Sequence, residues 1–305
     1  MYLKQHSKLC VLHAISPVHA GAGSALGAVD LPIQRERHTG WPHVQASGVK
    51  GAFRDHCERV WMLQGVERDN LVTKENRQQA EELAKRIFGR AESDNAQAGA
   101  IAFSDAKLLA FPVRSNLSPF VWVICPALLK RLSRDLELVG IGATGLDGVS
   151  ITGDHYGLVK GEFNGNLILE DICLEPRNGD NWNVVSEIFN KLDPDIDRLV
   201  IIPDNHFSFL MEAATEVQAQ IKIKADTGTT QDGSLRYQEL LPAESVLYTM
   251  VFFGEERVAD TNKLQLDMLR DCVTKAVSSH IQIGGDMTLG RGIFEVIWLP
   301  KGGEK

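Results

Sequence analysis

An α+β fold is predicted by three features of the 305-residue chain. Strand-like and helix-like runs mix without a repeated βαβ winding, and several strand-like runs are placed to return antiparallel on their predecessors. One long stretch, Thr215 to Leu241, has the alternation and turn-rich centre of a β-hairpin. At 44% hydrophobic and 24% charged residues, the chain can bury a sizeable core.

The elements follow in order. Leu9 to Ser16 (LCVLHAIS) is a short β-type run closed by Pro17. His19 to Pro42 holds four glycines and no regular period, so it is irregular. From Ser47 to Leu63, apolar residues at Val49, Ala52, Phe53, Cys57, Val60 and Trp61 give an amphipathic helix with Ser47 as its N-cap, and Lys50 and Arg54 lie one turn apart on its other face. A second helix spans Lys74 to Phe88 and ends at Gly89, before a polar loop from Arg90 to Gln97. Ala100 to Ser115 and Phe120 to Pro126 read as buried strands, and Ala127 to Leu138 as a helix. Gly140 to Asn166 is glycine-rich with little periodicity, which predicts an irregular surface excursion. A strand (Asn166 to Leu174), a helix (Asn183 to Lys191) and a strand (Leu199 to Pro203) precede the hairpin, which could project from the body with Lys222 and Lys224 on one face. The chain closes with a strand (Ser245 to Gly254), a helix (Asp260 to Ser278), and two strands around the glycine loop Ile283 to Gly292.

Composition excludes several classes of function. No stretch reaches the ~20 apolar residues of a membrane span, and Met1 to Ser16 lacks the pattern of a secretory signal, so a cytoplasmic protein is expected. Cys10, Cys57, Cys125, Cys173 and Cys272 stand singly, which suggests reduced thiols rather than a zinc site or a disulfide framework. A net charge of -8 argues against a surface coated for nucleic acid, so a polyanion site must be a local groove. Such a groove is foreshadowed between Gln34 and Arg54, where Arg35, Arg37, Lys50 and Arg54 face a single acid, Glu36.

Two glycine-rich loops thus stand at opposite ends of the chain, each after a strand. Glycine lets backbone N–H groups approach an anion closely. Ile283 to Gly292 (IGGDMTLGRG) is not a P-loop, because the lysine and hydroxyl of that motif are absent, and it opens no helix as a dinucleotide fingerprint must. By itself, either loop could be a plain strand connection.

In combination, HAGAGSALGAVDLPIQRERHTGWPHVQASGVKGAFR, FSDAKLLAFPVRS, YQELLPAESVLYTMV and IGGDMTLGRG resemble the RAMP superfamily of CRISPR proteins. DLPIQRERHTG and FSDAKLLAFPVRS are similar, more narrowly, to the filament-forming backbone subunits of type III-B, or Cmr-type, RNA-targeting effectors. The resemblance runs from His19 to Gly292 and leaves Gly140 to Asp197 unmatched. It implies a single RAMP domain over residues 1–305. That domain would be a ferredoxin-like, RRM-related palm built from the N- and C-terminal parts, with an inserted region at about 64–200 and a hairpin thumb at about 215–241. It implies copies of the chain, with other subunits of the effector complex, stacked along a guide CRISPR RNA. Each thumb would interrupt the guide–target duplex at six-nucleotide intervals, and the complementary target RNA would be cut beside each interruption.

The resemblance also assigns residues. Asp30, in GAVDLPIQ, matches the catalytic aspartate of a scission in which the neighbouring 2′-hydroxyl attacks phosphorus with the help of a divalent metal, Mg or Mn. The carboxylate could serve as a base, orient the 2′-hydroxyl or hold the hydrated metal, and spacing does not choose among these. His19 and Glu239 are the further candidates near the reacting centre. Arg35, Arg37 and His38 are candidate phosphate partners, as are Lys50, which matches a guide-binding lysine near a helix start, and Arg54. Gly284, Gly285, Gly290 and Gly292 match the C-terminal glycine loop laid against guide backbone, with Arg291 beside them. Backbone contacts carry no base identity, so specificity is left to pairing with the guide. A non-catalytic filament subunit and a stand-alone guide-processing endoribonuclease are the alternatives, with a small phosphate-ligand enzyme a weaker third.

Overall fold

A computed structural model describes residues 3–64, 72–90, 96–179, 182–257 and 263–300. Along them run β1 (Ser7–Ala14), β2 (His43–Val44), α1 (Ala46–Leu63), α2 (Lys74–Phe88), β3 (Gly89–Arg90), β4 (Gln97–Ala98), β5 (Ile101–Phe103), β6 (Ala106–Arg114), β7 (Phe120–Ile124) and α3 (Pro126–Leu138). The second half contributes β8 (His155–Lys160), β9 (Leu167–Leu169), β10 (Ile172–Pro176), α4 (Trp182–Leu192), β11 (Leu199–Ile201), α5 (Asp204–Ala213), β12 (Glu216–Gln220), β13 (Arg236–Leu240), β14 (Val246–Phe253), α6 (Leu266–Ala276), β15 (His280–Gln282) and β16 (Ile293–Leu299).

One mixed sheet organises the fold, in the order β15-β16-β1-β14-β6-β7-β11-β8-β10-β9. Its first half is antiparallel throughout: β1 lies between β16 and β14, and β14 pairs onward with β6. In the chain, α1 falls between β1 and β6, and α6 between β14 and β16. The second half includes two parallel pairings, β7 with β11 and β8 with β10. Every residue of β14 is buried, and nearly every residue of β1, which is why both read as continuous apolar runs rather than alternating ones.

Helix α1 covers the antiparallel half by a stripe of buried side chains four residues apart, Val49, Phe53, Cys57 and Trp61. Phe53 is fully buried, with ring centroids 4.9 Å from Phe103 and 6.0 Å from Trp298, so three distant segments share it. Burying such a side chain contributes about 2–3 kcal/mol. α1 starts earlier than the sequence suggests. Its N-cap is Gln45, and Ser47 lies inside the first turn because Asp105, far along the chain, accepts the Ala46 N–H at 2.7 Å.

Several other expectations are revised. The segment from Gly140 to Asn166 is not wholly irregular, since it carries β8, an interior strand between β11 and β10. Gly157 broke the apolar pattern there. It is required because a Cβ at this position would stand 2.4 Å from the Trp182 ring. Ala100 to Ser115 divides into β5 and β6 at Ser104 and Asp105, whose polar groups turn outward to cap α1 and bond β14. Helix α5 was not anticipated. The last helix begins at Leu266, and residues 260–262 lie outside the described residues. The hairpin is present as β12 and β13, pairing Glu216 with Leu240 through Gln220 with Arg236.

Candidate RNA-processing site at the hairpin base

The two glycine-rich segments, separated by more than 240 positions in the chain, meet at the base of the hairpin. After Pro17, Val18 and Leu241 exchange backbone hydrogen bonds of 2.8 and 2.9 Å, which pins the start of the first loop beside the foot of β13. The loop then doubles back on itself through a bridge between Gly21 and Ile33. Its return leg is stitched to β13: Asp30 and Leu31 both donate to the Tyr237 carbonyl at 3.1 Å, and Glu239 donates to the Leu31 carbonyl at 3.0 Å. Between these anchors the turn from Ala22 to Ala28 is exposed to solvent.

Asp30 therefore sits where an exposed loop rejoins a strand. Its Oδ2 accepts the Tyr237 backbone N–H at 2.7 Å, which orients the carboxylate from a rigid neighbour. Two residues along β13, roughly 7 Å in extended chain, the Glu239 carbonyl accepts from Nδ1 of His19 at 2.9 Å. A ring nitrogen facing a carbonyl must carry the proton, so the neutral His19 ring presents Nε2 as its basic lone pair.

Glu239 is a different kind of residue. It is 7% exposed, and its carboxylate accepts the Ile33 backbone N–H at 3.0 Å, the Thr215 hydroxyl at 2.9 Å and the Arg35 guanidinium at 2.5 Å. Arg35 also donates to the carbonyls of Gly40 and Met211, both at 2.8 Å. Both side chains thus spend their polar groups holding the loop, α5 and the hairpin together, whereas Arg37 and His38, one turn further, are exposed.

The C-terminal loop packs on the opposite side of the hairpin. The Gly285 N–H donates to the His19 carbonyl at 2.8 Å, so this loop supports the ring directly. Gly284 has φ +102°, and a Cβ there would lie 2.8 Å from the same carbonyl; at Gly292, φ +73°, a Cβ would collide with the Ile283 carbonyl. Arg291 is held by Gln238 and Asp286, each at 2.9 Å, and by Gln218 at 2.7 Å. Gln238 in turn contacts Gln220 and donates to Asp286 at 2.7 Å. Thr215, Gln238 and Asp286 were missed at the sequence level; polar alternation on the hairpin was the one signal pointing to Gln238.

Lys50 and Arg54 do not join this cluster by any hydrogen bond or ion pair among the described residues. Both lie on α1, where Arg54 donates to the Gly89 carbonyl at 2.9 Å. Burial, and then the Arg54 charge, lower the Lys50 pKa from the ordinary lysine value. Among the described residues no three His, Cys, Asp or Glu side chains converge as a metal site. Asp30 offers one carboxylate, and Glu239 is already occupied by three donors. That donor set suits a hydrated cation held by one carboxylate together with substrate phosphate oxygens. No helix of the described residues is long and apolar enough to cross a membrane.

Known proteins resemble this chain along nearly its whole length. The RAMP superfamily signature matches residues 11–295. The CRISPR system Cmr endoribonuclease Cmr4 of Pyrococcus furiosus is 33% identical over 294 residues, covering 93% of both chains. The CRISPR system CMR subunit Cmr4 of Saccharolobus solfataricus is 25% identical, covering 94% of this chain and 95% of that one. Among solved structures, oligomeric Cmr4 from Pyrococcus furiosus superposes with a TM-score of 0.67 at 26% identity, over 96% of this chain and 97% of that chain. Matched along almost its whole length, the chain belongs to the RAMP superfamily and, within it, to the Cmr4 family of CRISPR Cmr-system subunits.

Proposed function

We propose that this chain is a backbone subunit of a cytoplasmic type III-B effector, binding guide RNA and cutting the paired target RNA at six-nucleotide intervals. The observation that carries this reading is the placement of Asp30: fixed by the Tyr237 N–H at the base of the hairpin, on the flank of a loop whose tip is open to solvent. A strand deflected by the hairpin would pass over that flank. The order β16-β1-β14-β6, with α1 and α6 as the two crossovers, supports a ferredoxin-like palm. The second half of the sheet then forms the inserted region, and β12 and β13 form the thumb of a single domain.

The chemistry is intramolecular transesterification. The target's 2′-oxygen bonds to the adjacent phosphorus, the bond from phosphorus to the 5′-oxygen breaks, and the leaving oxygen takes a proton from water, so that the products end in a 2′,3′-cyclic phosphate and a 5′-hydroxyl. His19 Nε2 is suited to take the 2′-hydroxyl proton, because Nδ1–H is committed to the Glu239 carbonyl. Asp30 orients that hydroxyl through its second carboxylate oxygen. Glu239 and Arg35 act through position, keeping the loop registered against β13. A divalent cation, Mg or Mn, held by Asp30 would offset the charge that develops at phosphorus. In-line placement of the reacting oxygens by the deflected strand supplies much of the rate.

Exposed Arg37 and His38, Lys50 with Arg54 on α1, and the backbone of Gly284, Gly285, Gly290 and Gly292 beside Arg291 are the guide and target backbone contacts in this reading. Reconstitution with guide RNA and a labelled complementary target tests it. Wild type should yield products spaced by six nucleotides, lost on chelation of divalent metal. Asp30→Ala should bind both RNAs normally and cut at least about a hundredfold more slowly. Undiminished cutting by Asp30→Ala would reduce the chain to a structural subunit, and cleavage of a repeat hairpin by the free protein would make it a guide-processing enzyme.

A further inference from the structure

The QRERH turn faces two ways. Arg35 runs to Glu239 at the hairpin base, while Glu36 runs to α3, where its Oε1 accepts from Arg131 Nη1 at 2.7 Å. On this second side lies a cleft of about 340 Å³ lined by His38, Thr39, Trp41, Lys130, Arg131 and Arg134. Lys130 and Arg134 stand one turn apart on the same face of α3. The side chain of Arg134 is 67% exposed and that of His38 80% exposed, so the rim is open.

Two of the acids near this rim, Glu36 and Asp135, are engaged by basic side chains, while exposed Asp204 accepts the Ala127 N–H at 2.9 Å and exposed Glu212 lies beside Gly40 on the far side of the turn. Glu36 is bonded to Arg131 and to the Thr39 hydroxyl, both at 2.7 Å. Buried Asp135 accepts from Lys107 at 2.6 Å and from the Tyr248 hydroxyl at 2.9 Å, and its other oxygen lies 3.3 Å from Arg134. Arg131 forms the inner wall. Its guanidinium lies 5.1 Å from the Trp41 ring centroid, Nη2 donates to the Leu108 carbonyl at 2.8 Å, and Nε–H has no partner among the described residues. In a chain of net charge -8, this leaves a concave patch of positive sign, a geometry that focuses field and concentrates anions.

We propose that this cleft is a second seat for RNA backbone, separate from the cutting site, in which Lys130, Arg134 and His38 take phosphate oxygens of a single strand. The inference rests on the RNA-binding reading above. Lys130 and Arg134 are about 6 Å apart along the helix axis, a spacing at which both reach neighbouring phosphates of one strand. His38 extends the row toward exposed Arg37. Trp41 is nearly buried behind Arg131 and offers no free ring face for stacking, so the cleft takes backbone rather than bases.

The test uses the full chain reconstituted with guide RNA, as wild type, Lys130→Glu, and the pair Lys130→Ala with Arg134→Ala. Lys130→Glu leaves the Arg134–Asp135 contact intact, and thermal melts matched to wild type show that it folds. Labelled guide alone, and labelled target on guide-loaded protein, are titrated across a range of KCl. Binding of one strand should weaken about tenfold, and the slope of log K against log salt should fall by about 1.4 in the double variant, the value for two lost single-strand phosphate contacts. The affected arm identifies the strand, while the cleavage rate at saturating RNA stays at the wild-type level. Wild-type affinity and slope in both arms would overturn the proposal. So would unchanged RNA binding accompanied by lost self-association, which would assign the cleft to an acidic face of a neighbouring copy. Failure of wild type to bind either RNA would overturn the RNA-binding reading itself.

Discussion

Replacing Arg35 by alanine probes whether that guanidinium is spent inside the fold or held ready for RNA. Its partner Glu239 keeps a side chain 9% exposed, against 23% for Arg35. Breaking a buried ion pair by deleting one partner costs about 3–5 kcal/mol. Here the carboxylate retains the Ile33 N–H and the Thr215 hydroxyl, and Arg35 is partly open to water, which lowers that cost to about 2 kcal/mol. The carbonyls of Gly40 and Met211 each lose a charged donor, adding about 1 kcal/mol apiece. The expected loss is therefore about 4 kcal/mol, short of unfolding a domain of ordinary stability. Guanidinium denaturation followed by tryptophan fluorescence measures it. A double-mutant cycle with Glu239→Gln should return a coupling of about 1–3 kcal/mol. A loss below about 1 kcal/mol, or strictly additive mutants, would refute the assignment and return Arg35 to the pool of free phosphate ligands.

Two further perturbations check the scaffold around the site. His13, at the end of β1, sits between Asp193 (2.7 Å) and Glu244 (3.1 Å); burial opposes its charge, but the hydrogen bonds and charges of those two carboxylates prevail and raise its pKa above the ordinary 6.5. Its stabilisation is thus full below pH 6.5 and fades as pH rises through the higher folded-state value. His13→Gln should flatten the melting temperature across that window, and an unchanged pH slope would show that the ring carries no such charge. Gly284→Ala and Gly23→Ala both place a side chain at φ near +100°, yet only at Gly284 would the new Cβ meet backbone, 2.8 Å from the His19 carbonyl. Melts should show about 1 kcal/mol lost at Gly23 and clearly more at Gly284, with target cleavage impaired only in the latter; equal losses would mean that the C-terminal loop does not support His19.

Local pattern determined much of this protein. The four-residue stripe on α1, the continuous apolar runs of β1 and β14 and the alternation of β12 and β13 announce themselves because burial imposes their periods on the residues. The motifs around Asp30 and Gly284 likewise marked the family, and they lie on the two loops that meet at the hairpin base. Tertiary structure decided what pattern cannot encode. β8 is an interior strand because β11 and β10 pair on its two edges, with Gly157 making room for the Trp182 ring, and α1 begins at Ala46 because Asp105 reaches it from the turn between β5 and β6. Most of all, only the folded chain brings two loops from its opposite ends to one hairpin base and turns Glu239 and Arg35 toward each other. A residue's type limits the partners it can take, but hydrogen bonds and ion pairs form between neighbours in space, and that neighbourhood is set by the order in which the strands pair.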